Sequence, residues 1–132
     1  MAMGTPDFIA PEALISGIMV DHRADLYAVG VMLYQMLTGG LPFSGTDEAI
    51  MYQIVYGQHE SLALRSGDPS LGGYDAIVDG AMAKVPEQRF STAWEFRDAL
   101  NAVAQGPVAE RGAERLHRLD VHRAVVARRD RA

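Results

Sequence analysis

Apolar residues fill the stretch from Leu26 to Leu37 almost without interruption. Leu26, Tyr27, Val29, Val31, Met32, Leu33, Tyr34, Met36 and Leu37 are separated only by Ala28, Gly30 and Gln35. At 3.6 residues per turn such side chains point in every direction, so the pattern predicts a helix surrounded by the rest of the fold, not a one-faced surface helix. Charges crowd its start at Asp21, Arg23 and Asp25, and the uncharged run from 26 to 38 is only 13 residues. That is too short to cross a bilayer, which makes a buried core helix over 21–38 the expectation. Asp21 can cap its start, Gly39 and Gly40 can supply a left-handed exit, and Pro42 forbids its continuation.

The flanking patterns are weaker and more one-sided. The first twelve residues hold two prolines and a glycine and read as an irregular loop, leading to a short helix with Pro11 at its first position and Glu12 in its first turn, ended by Ser16 and Gly17. Thr46 or Asp47 can cap a helix in which Ile50, Ile54 and Val55 form a stripe, closed by Gly57. Residues 58–73 are rich in Ser, Gly, Asp and Pro and predict a loop with at most one helical turn near 61–65. Over 74–84, Ile77, Val78, Ala81 and Met82 recur at one-faced helical spacing, and 85–89 is a Pro-containing turn. The most amphipathic stretch is the last, where Ala93, Phe96, Ala99, Leu100 and Val103 share a face. Thr92 and Glu95 have capping-box spacing, and Gly106 with Pro107 stops the helix. About five helices around a buried central one, with no strand pattern, give an all-α expectation.

Composition narrows the class. A chain of 132 residues with 48% hydrophobic and 22% charged residues suits one globular domain. It contains no cysteine, which removes disulfides, thiolate metal sites and a cysteine nucleophile, and fits a reducing, cytoplasmic compartment. The start at Met1 shows neither a basic segment nor an apolar run, so no signal peptide is expected. The net charge of -5 is uneven: residues 1–105 carry 13 acids against 5 bases, whereas 106–132 carry 4 acids against 7 arginines. An acidic body argues against nucleic acid as the partner. The basic tail, 107–132, is expected to be flexible or a frayed helix, with contact to a membrane surface or an acidic partner as its other reading. Of the four histidines, His117 and His122 are five apart and fall on different helix faces, so no metal pair is expected there. No Gly-rich phosphate loop, nucleophile elbow or paired-carboxylate signature is present.

The order of three motifs is more informative than any single residue. G-T-P-D-F-I-A-P-E at 4–12, D-x-x-x-D-L-Y-A-V-G-V-x-L-Y-x-M-L-T-G-x-x-P-F at 21–43 and P-E-Q-R-F at 86–90 together resemble the C-terminal, helical half of a bacterial serine/threonine protein kinase domain. The resemblance covers about residues 4–105, so a partial kinase domain over 1–106 is expected. It implies that the loop with Gly4, Thr5, Pro6 and Phe8 receives the protein substrate. Thr5 matches the threonine that in the family hydrogen-bonds the catalytic aspartate, and it points to serine/threonine substrates. Phe8 stands where many relatives have tyrosine, keeping the ring without the hydroxyl. Ala10, Pro11 and Glu12 match the A-P-E motif. In the family Glu12 would pair with Arg89, Asp25 would accept backbone N–H groups of the catalytic loop, and Gly30 belongs to the central-helix motif.

What the resemblance implies is also bounded by what these residues lack. A working kinase needs a Gly-rich loop, a strand lysine paired to a helix glutamate, a catalytic-loop aspartate and asparagine, and a D-F-G aspartate for magnesium. In the family these precede A-P-E, and only eleven residues precede Glu12 here. The expectation is therefore a kinase fragment, with no catalytic residue, no metal ligand and no ATP or magnesium site of its own. Its expected partners are a protein substrate or the missing N-terminal kinase portion. Self-association through apolar surface left uncovered on the central helix is the accompanying expectation. The alternative is a non-catalytic helical interaction module, binding through the substrate loop and the helix near 47–56.

Overall fold

The computed structural model describes residues 6–15 and 19–105. Gly4, Thr5, the Ser16–Gly17 stop and the basic tail over 107–132 lie outside the described residues. Within them the chain is helical with no strand. Five α-helices, α1 (Arg23–Thr38), α2 (Asp47–Tyr56), α3 (Leu62–Ser66), α4 (Asp75–Ala81) and α5 (Ala93–Ala104), are joined by four short 3-10 turns, Pro6–Phe8, Pro11–Leu14, Pro69–Tyr74 and Pro86–Gln88.

The central helix is where its pattern predicted it. Its start differs in detail, because the helix begins at Arg23 and His22 occupies the cap position with no side-chain cap. Asp21 still serves the start: its Oδ1 accepts from the Arg23 backbone N–H at 2.9 Å. At the other end only Gly39 turns left-handed, at φ 82°, and it donates to the Gln35 carbonyl. Leu26, Tyr27, Gly30, Val31, Leu33, Tyr34 and Leu37 are buried. Met32 and Met36, one turn apart, are 41% and 36% exposed. The prediction of a helix covered on all sides therefore holds for most of its circumference and fails on the face that carries Asp25, Met32 and Met36.

The remaining elements pack around that helix. α3 and α4 lie against α1, α5 lies against α4, and α2 faces the two N-terminal 3-10 turns. Ile50 and Ile54 bury the inner face of α2, and the Thr46 hydroxyl caps it by accepting from Ala49 N at 3.1 Å. In α5, Phe96 and Leu100 are buried and Thr92 Oγ1 accepts from Glu95 N at 3.1 Å. The reciprocal half of the capping box is offset by one residue, since the Glu95 carboxylate accepts from Ser91 N, not Thr92 N.

Three elements differ from expectation. The segment opening at Pro11 is a four-residue 3-10 turn, too short to settle into α geometry. The helix predicted over 74–84 ends at Ala81, because Ala83 and Lys84 turn their polar groups to other elements. Residues 58–73 hold the one helical turn expected near 61–65, as α3 capped by Ser61 Oγ through Leu64 N, and beyond it a 3-10 turn that was not expected, started where Asp68 accepts from Ser70 N, with Leu62 and Leu71 buried. Short polar cappers made this stretch look like a loop while fixing its turns.

Candidate functional site

The segment matched to the substrate loop enters the fold through two prolines. Pro6 opens one 3-10 turn and Pro11 the next, with Ala10 extended between them at φ -69° and ψ 151°, as a residue before proline prefers. Pro6, Asp7, Ala10, Pro11 and Glu12 are buried, and Phe8 packs on the edge of the core. With no N–H of its own, Pro11 leaves the turn's first position without an unmet donor, and Glu12 is directed inward.

There Glu12 meets Arg89, 77 positions along the chain. Arg89 Nη1 donates to Glu12 Oε2 and Nη2 donates to Glu12 Oε1, both at 2.6 Å. The side chains are 4% and 0% exposed, so this is a two-pronged, buried ion pair. The rest of the guanidinium is also engaged. Its Nε donates to the Ala83 carbonyl at 2.8 Å, Nη1 donates again to the Arg23 carbonyl at 3.0 Å, and the group lies 5.2 Å from the centroid of the Tyr27 ring. One side chain thus ties the A-P-E turn, the first turn of α1 and the segment after α4 together.

Electrostatics follow the geometry. Burial pushes the Glu12 carboxyl up, but the hydrogen bonds and charge of Arg89 outweigh it and hold its pKa below the usual 4.5. The Tyr27 phenol, sealed beneath the pair with no hydrogen-bond partner among the described residues, is pushed well above 10 by burial. The network is an ion pair closed by backbone acceptors, and it holds a loop in place.

The other residues singled out by sequence separate from this cluster. Gly30, on the second turn of α1, lies close against the end of α4: a Cβ there would lie 2.7 Å from Ala81 Cβ and 3.0 Å from Met82 Cγ. Asp25 lies on the open face of α1 and is exposed; its backbone N–H donates to the His22 carbonyl at 3.0 Å, and its side chain makes no hydrogen bond to a described residue. Sequence reasoning missed the two carbonyls, the Arg23 oxygen and the Ala83 oxygen, that complete the Arg89 site. Backbone acceptors leave no trace in residue identity, so only the arginine itself could have signalled them. Also missed was His22, whose Nε2 lies 2.6 Å from the Ser91 carbonyl and links the start of α1 to the start of α5.

The comparisons with known proteins match this arrangement to one family. The protein kinase domain family matches residues 1–102. The chain belongs to the protein kinase family. Among its relatives are the serine/threonine-protein kinase Pkn1 of Myxococcus xanthus, 43% identical over 105 residues, covering 74% of this chain and 14% of the relative. Another is PksC of Streptomyces coelicolor, 38% identical over 105 residues, covering 79% of this chain and 18% of the relative. PknB of Mycobacterium tuberculosis is 36% identical over 116 residues, covering 82% of this chain and 17% of the relative. The chain therefore spans less than a fifth of the length of these kinases. Within the kinase family, the described part is the helical lobe, with A-P-E and the distant arginine joined as a buried pair.

No group of His, Cys, Asp or Glu among the described residues could hold a metal ion. The sole lysine, Lys84, turns its ammonium to backbone carbonyls of α2. No helix of the described residues is long and apolar enough to cross a membrane.

Proposed function

We propose that these residues are the substrate-loop end and helical lobe of a cytoplasmic serine/threonine protein kinase. The complete domain would transfer the γ-phosphoryl group of ATP to protein serine or threonine, and the 132 residues alone would transfer none. The observation that carries this reading is the buried Glu12–Arg89 pair, which anchors the loop matched to substrate binding on a rigid helical base. Positioning of the substrate is a large share of phosphoryl-transfer catalysis, and the lobe is built for that share. The other share, holding ATP and magnesium and accepting the hydroxyl proton, finds no matching residues within this sequence.

The test is direct. Purified chain incubated with labelled ATP, magnesium and a protein substrate should incorporate no phosphate above a blank. The same residues joined behind the N-terminal kinase portion of the Myxococcus xanthus relative should restore transfer to serine and threonine. Steady transfer by the chain alone that survives repurification, or an inert but folded chimaera, would overturn the reading.

A second reading, a non-catalytic interaction module, draws support from α2. Tyr52 and Tyr56 stand outward on it, 66% and 71% exposed with ring centroids 5.0 Å apart, an aromatic pair suited to docking.

A further inference from the structure

Negative charge is left over on the outer surface of α2. Residues 1–105 carry five bases, and each is already engaged: Arg89 with Glu12, Arg23 and Arg97 with other carboxylates, Lys84 with carbonyls of α2, and Arg65 with the Tyr34 phenol. Asp47 and Glu48 are exposed in the first turn of α2, and their side chains meet no described partner. Glu48, Tyr52 and Tyr56 recur at every fourth position and share one helix face. The two exposed rings stand 5.0 Å apart, and neither hydroxyl bonds to a described residue. This face joins carboxylates without a cation to open aromatic faces. A guanidinium suits both, because its planar fork pairs with carboxylates and its flat side stacks on a ring.

The chain's own sequence supplies guanidinium groups in one place. Residues 107–120 hold three arginines against three acids, which cancel. Residues 121–131 hold Arg123, Arg128, Arg129 and Arg131 against Asp130 alone, so the whole +3 excess of the tail lies there. The same segment carries Val121, Val125 and Val126, and the neighbouring strip of α2 offers Met51 and Val55, both half-buried. The neutral stretch 106–120 is 15 residues long. A flexible chain of that length spans about 20 Å on average and about 50 Å when extended, against a radius of gyration of about 13 Å for a 100-residue domain. Reach therefore excludes no face, and chemistry decides. Asp25 and Glu60 are also exposed acids, but α1 and the 57–61 loop carry no exposed Tyr, Phe or Trp.

We propose that residues 121–131 dock on the Glu48, Tyr52 and Tyr56 face of α2 in the same chain, with their guanidinium groups on the Asp47 and Glu48 carboxylates and over the two tyrosine rings. Each such contact is weak alone and is screened by salt. Linkage within one chain offsets that weakness, because it holds the segment at an effective concentration on the order of millimolar. A protein that seeks α2 must then displace the tail, and a polyanion that draws the tail away opens the face. The inference stands on α2 and the tail sequence and does not depend on the kinase reading.

The absence of cysteine makes the test clean, since Ala127→Cys in the full chain takes a single nitroxide label within the segment. Amide spectra of the isotope-labelled chain are compared before and after the nitroxide is reduced. At low salt the amides of 48–56 should lose most of their intensity while the nitroxide is active, and those of α1 should keep theirs. Tyr52→Ala with Tyr56→Ala, and separately Glu48→Lys, should restore the α2 signals while α1 and α5 keep their chemical shifts. Tyr52→Phe with Tyr56→Phe should preserve the loss of signal, and rising ionic strength should weaken it. Signal loss spread evenly over α1, α2 and α5, or absent from α2, would overturn the proposal. So would signal loss on α2 that survives both Glu48→Lys and the paired alanine variant. Loss that appears only when spin-labelled and isotope-labelled chains are mixed would also overturn it, and would give the face to the tail of a second copy.

Discussion

The two sides of α1 are made of similar residues and have different surroundings. On one, Tyr27, Val31, Tyr34 and Leu37 are sealed completely, Arg89 lies over the Tyr27 ring, and α4 comes within a methyl's width at Gly30. On the other, Met32 and Met36 face outward and the Asp25 side chain meets no described partner. A helix that is apolar all round needs cover all round. The described residues supply it on one side, so the packed side carries the stability of the lobe. Under the proposed function, the open side is where the remainder of a kinase domain would sit.

The comparison breaks first at Arg89. Arg89→Ala leaves the Glu12 carboxylate buried without its cation and should cost about 3–5 kcal/mol, read by urea unfolding. Glu12→Gln combined with Arg89→Met removes both charges and should recover a good part of that loss, because stranding one charge costs more than replacing the pair. The pH dependence carries the same signature. Glu12 has a pKa lowered from 4.5 in the folded chain, so it binds protons more readily when unfolded. Its contribution is complete above about pH 4.5 and disappears as pH falls through the lower, folded value. Stability should therefore fall on acidification below pH 4.5, and this component should vanish in the double variant. An unaltered acid slope there would show that other carboxylates carry it.

Next in size is Gly30. An added Cβ must displace Ala81 Cβ, 2.7 Å away and attached to the α4 backbone. Overpacking of this kind costs about 1–3 kcal/mol, against about 1 kcal/mol gained in helix propensity, so Gly30→Ala should be net destabilising by calorimetry. Gly30→Ala with a stability equal to the parent would mean that α1 and α4 slide apart easily, and the packed side would then be less rigid than the Arg89 site implies.

How much of this was legible in the sequence depends on the range of the forces involved. The central helix, its glycine exit and the last amphipathic helix are local events set by period and capping, and they were readable from 21–40 and 91–105. The 58–73 stretch was read as a loop with at most one helical turn near 61–65, because Ser61, Ser66 and Asp68 are loop-favouring residues. Each spends its side chain on a nearby backbone N–H, and the buried Leu62 and Leu71 hold the result in place. The Glu12–Arg89 pairing spans 77 positions, and nothing in composition or period links the two; the family resemblance alone brought them together. The Lys84 tether crosses 30 positions to reach backbone oxygens, a target that no residue identity advertises.

The smallest effect on stability should come from the open side, where it separates fold from association. Met32 and Met36 are partly exposed, and replacing both with Gln exchanges one good helix former for another while losing little burial. The unfolding free energy should move by no more than about 0.5 kcal/mol per site. Sedimentation at rising concentration should change more, because neighbouring apolar side chains on one helix face favour contact between copies. The parent should gain mass with concentration, and the doubly substituted chain should stay closer to a monomer of 14.3 kDa. A parent that remains monomeric throughout would show that these methionines are too dispersed to act as a patch. Substitutions that unfold the chain would show that they belong to the core, and the two sides of α1 would then differ in exposure but not in structural role.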